Sequence, residues 1–378
     1  MEFLYAPTPA SVRSPFHCLL GVAALLACLL PGCGQPATTP PLTALAEGVD
    51  RVAQPVDRQI LCRRIDAALA HARDGRRLDA AVHGAWQVVH GILAFGRDFP
   101  LAHGGLVSPA VDYLLDGGRL IGWQLRSASS GVIALVEEGS TSGQGHPNQW
   151  LGYLSQCGLE GLPRETRLVA GARPFTVNDL LTQAQADIRP GQEATWTLMA
   201  ITAYLPTDGV WTASDGSRWT VERVVQMEAD ADLFASACGG AHRLYGLVVA
   251  LRKHVATTER PTSQLTGGWA AAAAVIEDCL ERAQRFQQAD GSFSIHTFDR
   301  PGTSADVFAR LSATGHVFEV LSLALDDERL AEPWVTRAAD RLVNLLEQTA
   351  DVDVECGALY HAAHGLLLYR QRVCGSTP

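Results

Sequence analysis

From residue 57 onward, segments apolar on one face alternate with segments apolar almost throughout. Segments 57–73, 108–116, 176–187, 220–234, 268–288 and 333–348 read as amphipathic helices, half-exposed by their periodicity. Thr176 and Thr220 stand where N-caps belong, and Pro333 where a first turn accepts proline. Each is followed by a strongly apolar run, which predicts a helix buried on most sides. Six half-exposed helices wrapped around six buried ones satisfy both patterns, so the expected fold is all-α, an α/α toroid of about six helix pairs spanning 57–378. Two stretches break the pattern. Residues 119–136 alternate around a Ser/Gly break and predict a small β-hairpin, and 289–313 reads as a long loop.

The apolar runs open alike. Cys238-Gly239-Gly240-Ala241-His242 precedes Gly246-Leu247, and Cys356-Gly357 leads through His361 to Gly365-Leu366. Thr314-Gly315-His316 keeps the histidine, and Gly145-His146-Pro147-Asn148-Gln149-Trp150 opens an earlier run. In the run at Ala194-Thr195-Trp196, Thr or Trp stands in for it. His83 and His90 lie two turns apart, on one helical face. If the inner helices run parallel, a residue recurring in their first turns recurs around one rim of a central cavity. That reading gathers His146, His242, His316 and His361, with Arg243 and Tyr245, as candidate catalytic groups. His83, His90, Asn148, Gln149, Trp150, Trp196, Glu319 and His364 become candidate cavity residues, and Glu137 and Glu138 sit in a Gly/Ser-rich loop that reads as a lid. Imidazoles gathered there serve as general acids or bases near neutral pH, or hold a divalent metal. The alternative is structural: a histidine at a helix start caps it or bonds a loop, and a repeated fold repeats that joint. His361 and His364, three apart, fit either a shared metal or packing.

The first 56 residues carry a different signal. Arg13 precedes an apolar run from Cys18 to Leu30, too short to span a bilayer comfortably. Leu30-Pro31-Gly32-Cys33 resembles the lipobox of bacterial lipoproteins, which implies that 1–33 is a signal segment with its cleavage site, that the acylated Cys33 becomes the mature N-terminus, and that 34–56 is a tether. Simple secretion is the alternative, since Pro31 is unusual in that box. The chain is then an envelope protein held to a membrane by its lipid. Export permits up to three disulfides among Cys62, Cys157, Cys238, Cys279, Cys356 and Cys374, or leaves them as buried thiols. A formal charge of −10 with no basic cluster argues against a nucleic-acid partner.

Gln287 to Phe293 (QQADGSF) matches the Q-x-x-x-G-x-W/F pattern of terpenoid cyclases and protein prenyltransferases. That resemblance implies an α/α toroid. The chain also resembles a family of exported bacterial proteins that share the CGG-x-H-R-L, NQWL, QxxDGSFS and TGH segments over roughly 80–370, a family that brings no known activity. The superfamily's chemistry does not carry over. Asp230-Ala231-Asp232-Leu233 fails the cyclase acid motif, and Asp326-Asp327 stops short of a diphosphate box. Asp353-Val354-Glu355-Cys356 is one residue too long for the prenyltransferase zinc pair.

Two functions are expected to compete. One is an envelope carbohydrate-active enzyme, lyase-like or hydrolase-like, using the histidine-lined rim on a glycan or other small molecule. The other is a non-catalytic binding or scaffold lipoprotein. A terpenoid-cyclase-like enzyme is disfavoured by export and the missing motifs.

Overall fold

The computed structural model describes residues 56–135, 145–157 and 161–375. The expected leader with Cys33, the tether up to residue 55, and Glu137 and Glu138 lie outside the described residues.

Each amphipathic segment holds a helix: α1 (Arg58–Ala70), α3 (Ala110–Leu115), α5 (Val177–Asp187), α7 (Val221–Ala229), α9 (Gly267–Phe286) and α12 (Pro333–Gln348). Each apolar run holds another: α2 (Ala85–Phe95), α4 (Gln149–Leu154), α6 (Thr195–Tyr204), α8 (Ala241–Thr258), α10 (Val307–Ala324) and α13 (Cys356–Val373). A single turn, α11 (Asp327–Leu330), links α10 to α12. The chain is mainly α. Local chemistry sets the helix starts: Thr220 Oγ1 accepts the Arg223 N–H at 3.0 Å, Asp179 accepts the Thr176 N–H at 2.7 Å, and Pro333 is the first residue of α12.

The two classes of helix pack differently, as their polarity requires. All of α4 is buried, as are residues 195–202 of α6 and 356–366 of α13. In contact order, α2 packs on α4, α4 on α6, α6 on α8, α8 on α10, α10 on α13, and α13 back on α2. The amphipathic helices cover these: α5 lies on α4 and α6, α7 on α6 and α8, α9 on α8 and α10, and α12 on α10 and α13.

A hairpin forms where alternation predicted one, from β3 (Leu125–Ser127) and β4 (Val132–Ala134). Three others were not expected: β1 (Pro100–His103) with β2 (Leu106–Pro109), β5 (Arg167–Ala170) with β6 (Arg173–Thr176), and β7 (Val210–Thr212) with β8 (Arg218–Thr220). Each of these runs directly into an amphipathic helix. Their strands are three or four residues long, below the length at which alternation is readable.

Gln287, the residue that opens the Q-x-x-x-G-x-F motif, ties a joint. Its Nε2 donates to the carbonyls of Gly291 (3.1 Å) and Trp334 (2.8 Å), fastening the end of α9 to the start of α12. Arg64 and Arg76 bind the first helix region to α12. Arg64 pairs with Asp340 and Glu347 at 2.6 Å each, and Arg76 donates to the Thr349 carbonyl at 2.6 Å. A disulfide joins Cys62 of α1 to Cys374 just after α13. It is one of the three pairings export would permit; Cys157, Cys279 and Cys356 are buried thiols and Cys238 is an exposed one.

Candidate functional site

The close approach of α10 and α13 builds the centre of the site. A Cβ on Gly315 would stand 3.0 Å from the Ala362 backbone nitrogen, and one on Gly365 would stand 2.9 Å from the Glu319 Cα. Only glycine lets these two helices come so near, and their contact brings His316 and Glu319 of α10 against His361 and His364 of α13. Ring centroids of His316 and His361 are 4.1 Å apart. The α8 histidine, His242, completes the group, 4.9 Å from His361 and 5.2 Å from His316 by ring centroids. His90 of α2 lies 5.3 Å from His361, and His146 lies 5.4 Å from His242.

The histidines therefore converge, but not as a rim of first-turn residues. His242 is the second residue of α8, whereas His316 is the tenth of α10 and His361 the sixth of α13. The reason is capping. Asp306 accepts the Phe308 N–H and Glu355 accepts those of Gly357 and Ala358, so α10 and α13 begin upstream of their histidines. His90, His242, His316 and His361 are consequently buried, with exposures of 0, 3, 4 and 2%. The space that His242 and His361 share with Trp196, Tyr245 and Glu319 is nearly filled, with a residual void of about 10 Å³.

Access comes from the side. Cys238 Sγ and a ring nitrogen each of His242 and His316 lie within 4.8 Å of one another. Cys238 and His316 form part of the wall of a cavity of about 420 Å³, with Phe234, His296, Thr297, Asp299 and Arg300 around it. Cys238 sits on an unusual turn. It has φ +52°, followed by Gly239 (+59°) and Gly240 (+82°), and the turn feeds directly into α8. Thr297, at φ +50°, faces it and donates its hydroxyl to the Gly239 carbonyl at 3.0 Å. Two non-glycine residues in the left-handed region, in hydrogen-bonded segments of one cavity wall, are strain of the kind found at functional sites.

The hydrogen bonds fix the proton on most of these rings. A carbonyl only accepts, so His90 Nδ1 (2.7 Å from the Trp86 carbonyl) and His316 Nδ1 (2.8 Å from the Ser312 carbonyl) carry hydrogen. Glu319 lies between His361 Nδ1 at 2.8 Å and His364 Nδ1 at 2.6 Å. Although burial pushes the other way, those two histidines hold Glu319 well below the usual carboxylate range, so it accepts from both. Each Nε2 of His90 and His361 is thus left with a lone pair. Among the described imidazoles, two buried nitrogens have no hydrogen-bond partner: His90 Nε2 and His242 Nδ1. Burial, and then the neighbouring imidazoles, push His242 well below the ordinary histidine value and His90 down to about 3. In His316, burial is outweighed by the sulfur of Cys238, the Ser312 carbonyl and Glu319, which hold it up at about 9.

The remaining expected residues divide. Tyr245 borders the cluster and donates to Gln156 Oε1 at 2.7 Å. Trp196 packs 5.3 Å from His242 by ring centroids, and His146 bonds Glu193 at 3.0 Å. Others are not part of it. Arg243 turns to the buried Glu228 at 2.8 Å, and Glu228 in turn caps α6 through the Ala194 N–H and the Thr195 hydroxyl. His83 bonds Asp79 in the loop before α2. Asn148 donates to Thr197, Gln149 to Tyr153, and Trp150 packs edge-on against Trp123, which makes these three parts of the core around α4. Cys238 was the residue sequence reasoning missed. It was read as a repeat marker and a disulfide candidate, but Cys238-x-x-x-His242 at a helix start is itself a ligand spacing.

Compared with protein-family models, curated proteins and solved structures, the chain has no match. The reading of the site therefore stands on its geometry.

Proposed function

We propose that the chain is an exported, lipid-anchored α/α-toroid protein whose thiol–histidine centre binds a zinc-class ion and performs hydrolysis in the adjoining cavity. The cyclic packing of the six buried helices supports the toroid, and the Cys62–Cys374 disulfide fits an oxidising compartment. The observation that carries the metal reading is Cys238 Sγ with a ring nitrogen each of His242 and His316 within 4.8 Å of one another, His316 being held by its Nδ1–H bond to the Ser312 carbonyl and His242 Nδ1 left buried without a partner. Metal-ligating histidines are oriented in this way, and a buried polar atom without a partner calls for one.

Cys238, His242 and His316 would hold the ion, and one thiolate with two imidazoles suits zinc better than a hard cation. Three protein ligands leave a coordination position free, and a bound ion of this kind supplies Lewis acidity and activates water near neutral pH. The chain's own residues do the rest. Ser312 and Glu319 orient the rings. The wall of Phe234, Thr297, Asp299 and Arg300 offers one apolar face and several polar groups, which suits a hydroxyl-bearing substrate such as an envelope glycan.

The strain at Cys238 and its contact with His316 favour a second reading, a thiol nucleophile with a histidine base. Hydrolysis of a panel of glycans and esters by the full chain, assayed after chelation and separately after alkylation, tells them apart. Loss on chelation with recovery on zinc addition supports the metal. Activity indifferent to chelation but abolished by alkylation supports the nucleophile. Ligand-dependent stabilisation without turnover of any substrate points to a binding protein instead.

A further inference from the structure

Beyond the ligands themselves, a chain of hydrogen bonds runs inward from His242. His242 Nε2 lies 3.2 Å from His361 Nε2, and His361 Nδ1 lies 2.8 Å from Glu319 Oε2. Two ring nitrogens at that distance need one hydrogen between them. The carboxylate already takes the His361 hydrogen at Nδ1, so His361 Nε2 is the acceptor and His242 Nε2 the donor. The lone pair of His242 then falls on Nδ1, the buried nitrogen with no partner.

We infer that Glu319 is a positioning residue that sets the tautomer of His242 through His361, and so keeps a ligand lone pair available at the thiol–histidine centre. This rests on the metal reading of that centre. Glu319 is suited to the task because it is 2% exposed and clamped on its second oxygen by His364 at 2.6 Å, so it has no freedom to turn away. A carboxylate has two acceptor oxygens for two Nδ1–H groups. An amide has one oxygen, and its NH₂ obliges one of the two histidines to accept at Nδ1. When that histidine is His361, its hydrogen moves to Nε2, His242 Nε2 must accept, and the hydrogen of His242 moves onto Nδ1.

The test is zinc affinity, by competition with a chromophoric chelator, for the wild-type chain, Glu319→Gln and the double variant Glu319→Gln/His364→Leu. Glu319→Gln is expected to bind 10–100-fold more weakly, the usual effect of removing a partner behind a ligand. The double variant is expected to recover most of that loss, because the amide oxygen is then free to turn to His361. A merely structural role would leave the double variant worse than the single one. Equal zinc affinity in wild type and folded Glu319→Gln overturns the inference. Long-range ¹⁵N–¹H spectra of histidine-labelled wild-type protein read the tautomers without mutation. Hydrogen on His361 Nδ1 and His242 Nε2 supports the chain, and hydrogen on His242 Nδ1 overturns it. If wild type binds no zinc while the spectra show those tautomers, the metal reading fails and the hydrogen-bond chain stands.

Discussion

Two clusters of polar groups in this molecule are treated differently. At the seam where α1 meets α12 and α13, the charges are matched across the interface. Arg64 takes Asp340, Asn344 and Glu347, Arg370 takes Asp66 at 2.7 Å, and the Cys62–Cys374 bond ties α1 to the end of α13. Among the six buried helices, imidazoles crowd together instead, and two of their nitrogens have no partner at all. The seam sets its charges against opposite charges across the interface. A cluster that leaves lone pairs unspent in the interior is costly for the chain alone, which is the physical reason to read it as a ligand site.

The largest effect is expected at the seam. Replacing both Cys62 and Cys374 by Ser frees a loop of 312 residues in the unfolded state and should cost up to about 5 kcal/mol. Differential scanning calorimetry should register this as a drop of several degrees in Tm, with zinc affinity unchanged. Zinc acts on the other region. At a thousandfold excess over its Kd it should stabilise the wild-type chain by about 4 kcal/mol, and it should leave Cys238→Ser/His316→Ala unmoved.

Acid separates the regions next. His90 and His242 have lower pKa values folded than unfolded, so the unfolded chain binds more protons and stability is lost as pH falls from about 6.5. A single histidine held near 3 accounts for about 2 kcal/mol between pH 6.5 and 5. His316 has the opposite sign. Its contribution is full below about 6.5 and is lost as pH rises through about 9. The metal-free protein should therefore be most stable between these limits in a pH series of thermal melts. The smallest effect is expected from Arg64→Ala, about 1 kcal/mol by urea denaturation, because its partners are partly solvated.

Much of the helix order was legible in the residues, because 3.6-residue periodicity and the contrast between half-apolar and wholly apolar segments are strong over ten or more positions. The hairpins before α3, α5 and α7 were not, since three- and four-residue strands give alternation nothing to repeat. The recurrence of Pro174-Phe175-Thr176-Val177 and Arg218-Trp219-Thr220-Val221 just before helices was the available signal. The histidines were found because they repeat. Their burial was not, because it depends on where Asp306 and Glu355 start their helices and on how closely Gly315 and Gly365 let α10 and α13 approach. Arg243 was misplaced for a related reason: it follows His242 in sequence, but neighbours on a helix point in different directions.

The central claim is that Cys238, His242 and His316 form a metal centre. Its most direct test is the metal content of the full chain, exported in a bacterial host and purified without chelators, beside a folded Cys238→Ser/His242→Ala/His316→Ala variant. The account expects close to one equivalent of zinc or a similar ion in the wild type and none in the variant. Metal absent from a folded wild type even after incubation with zinc, or retained equally by the variant, would contradict it.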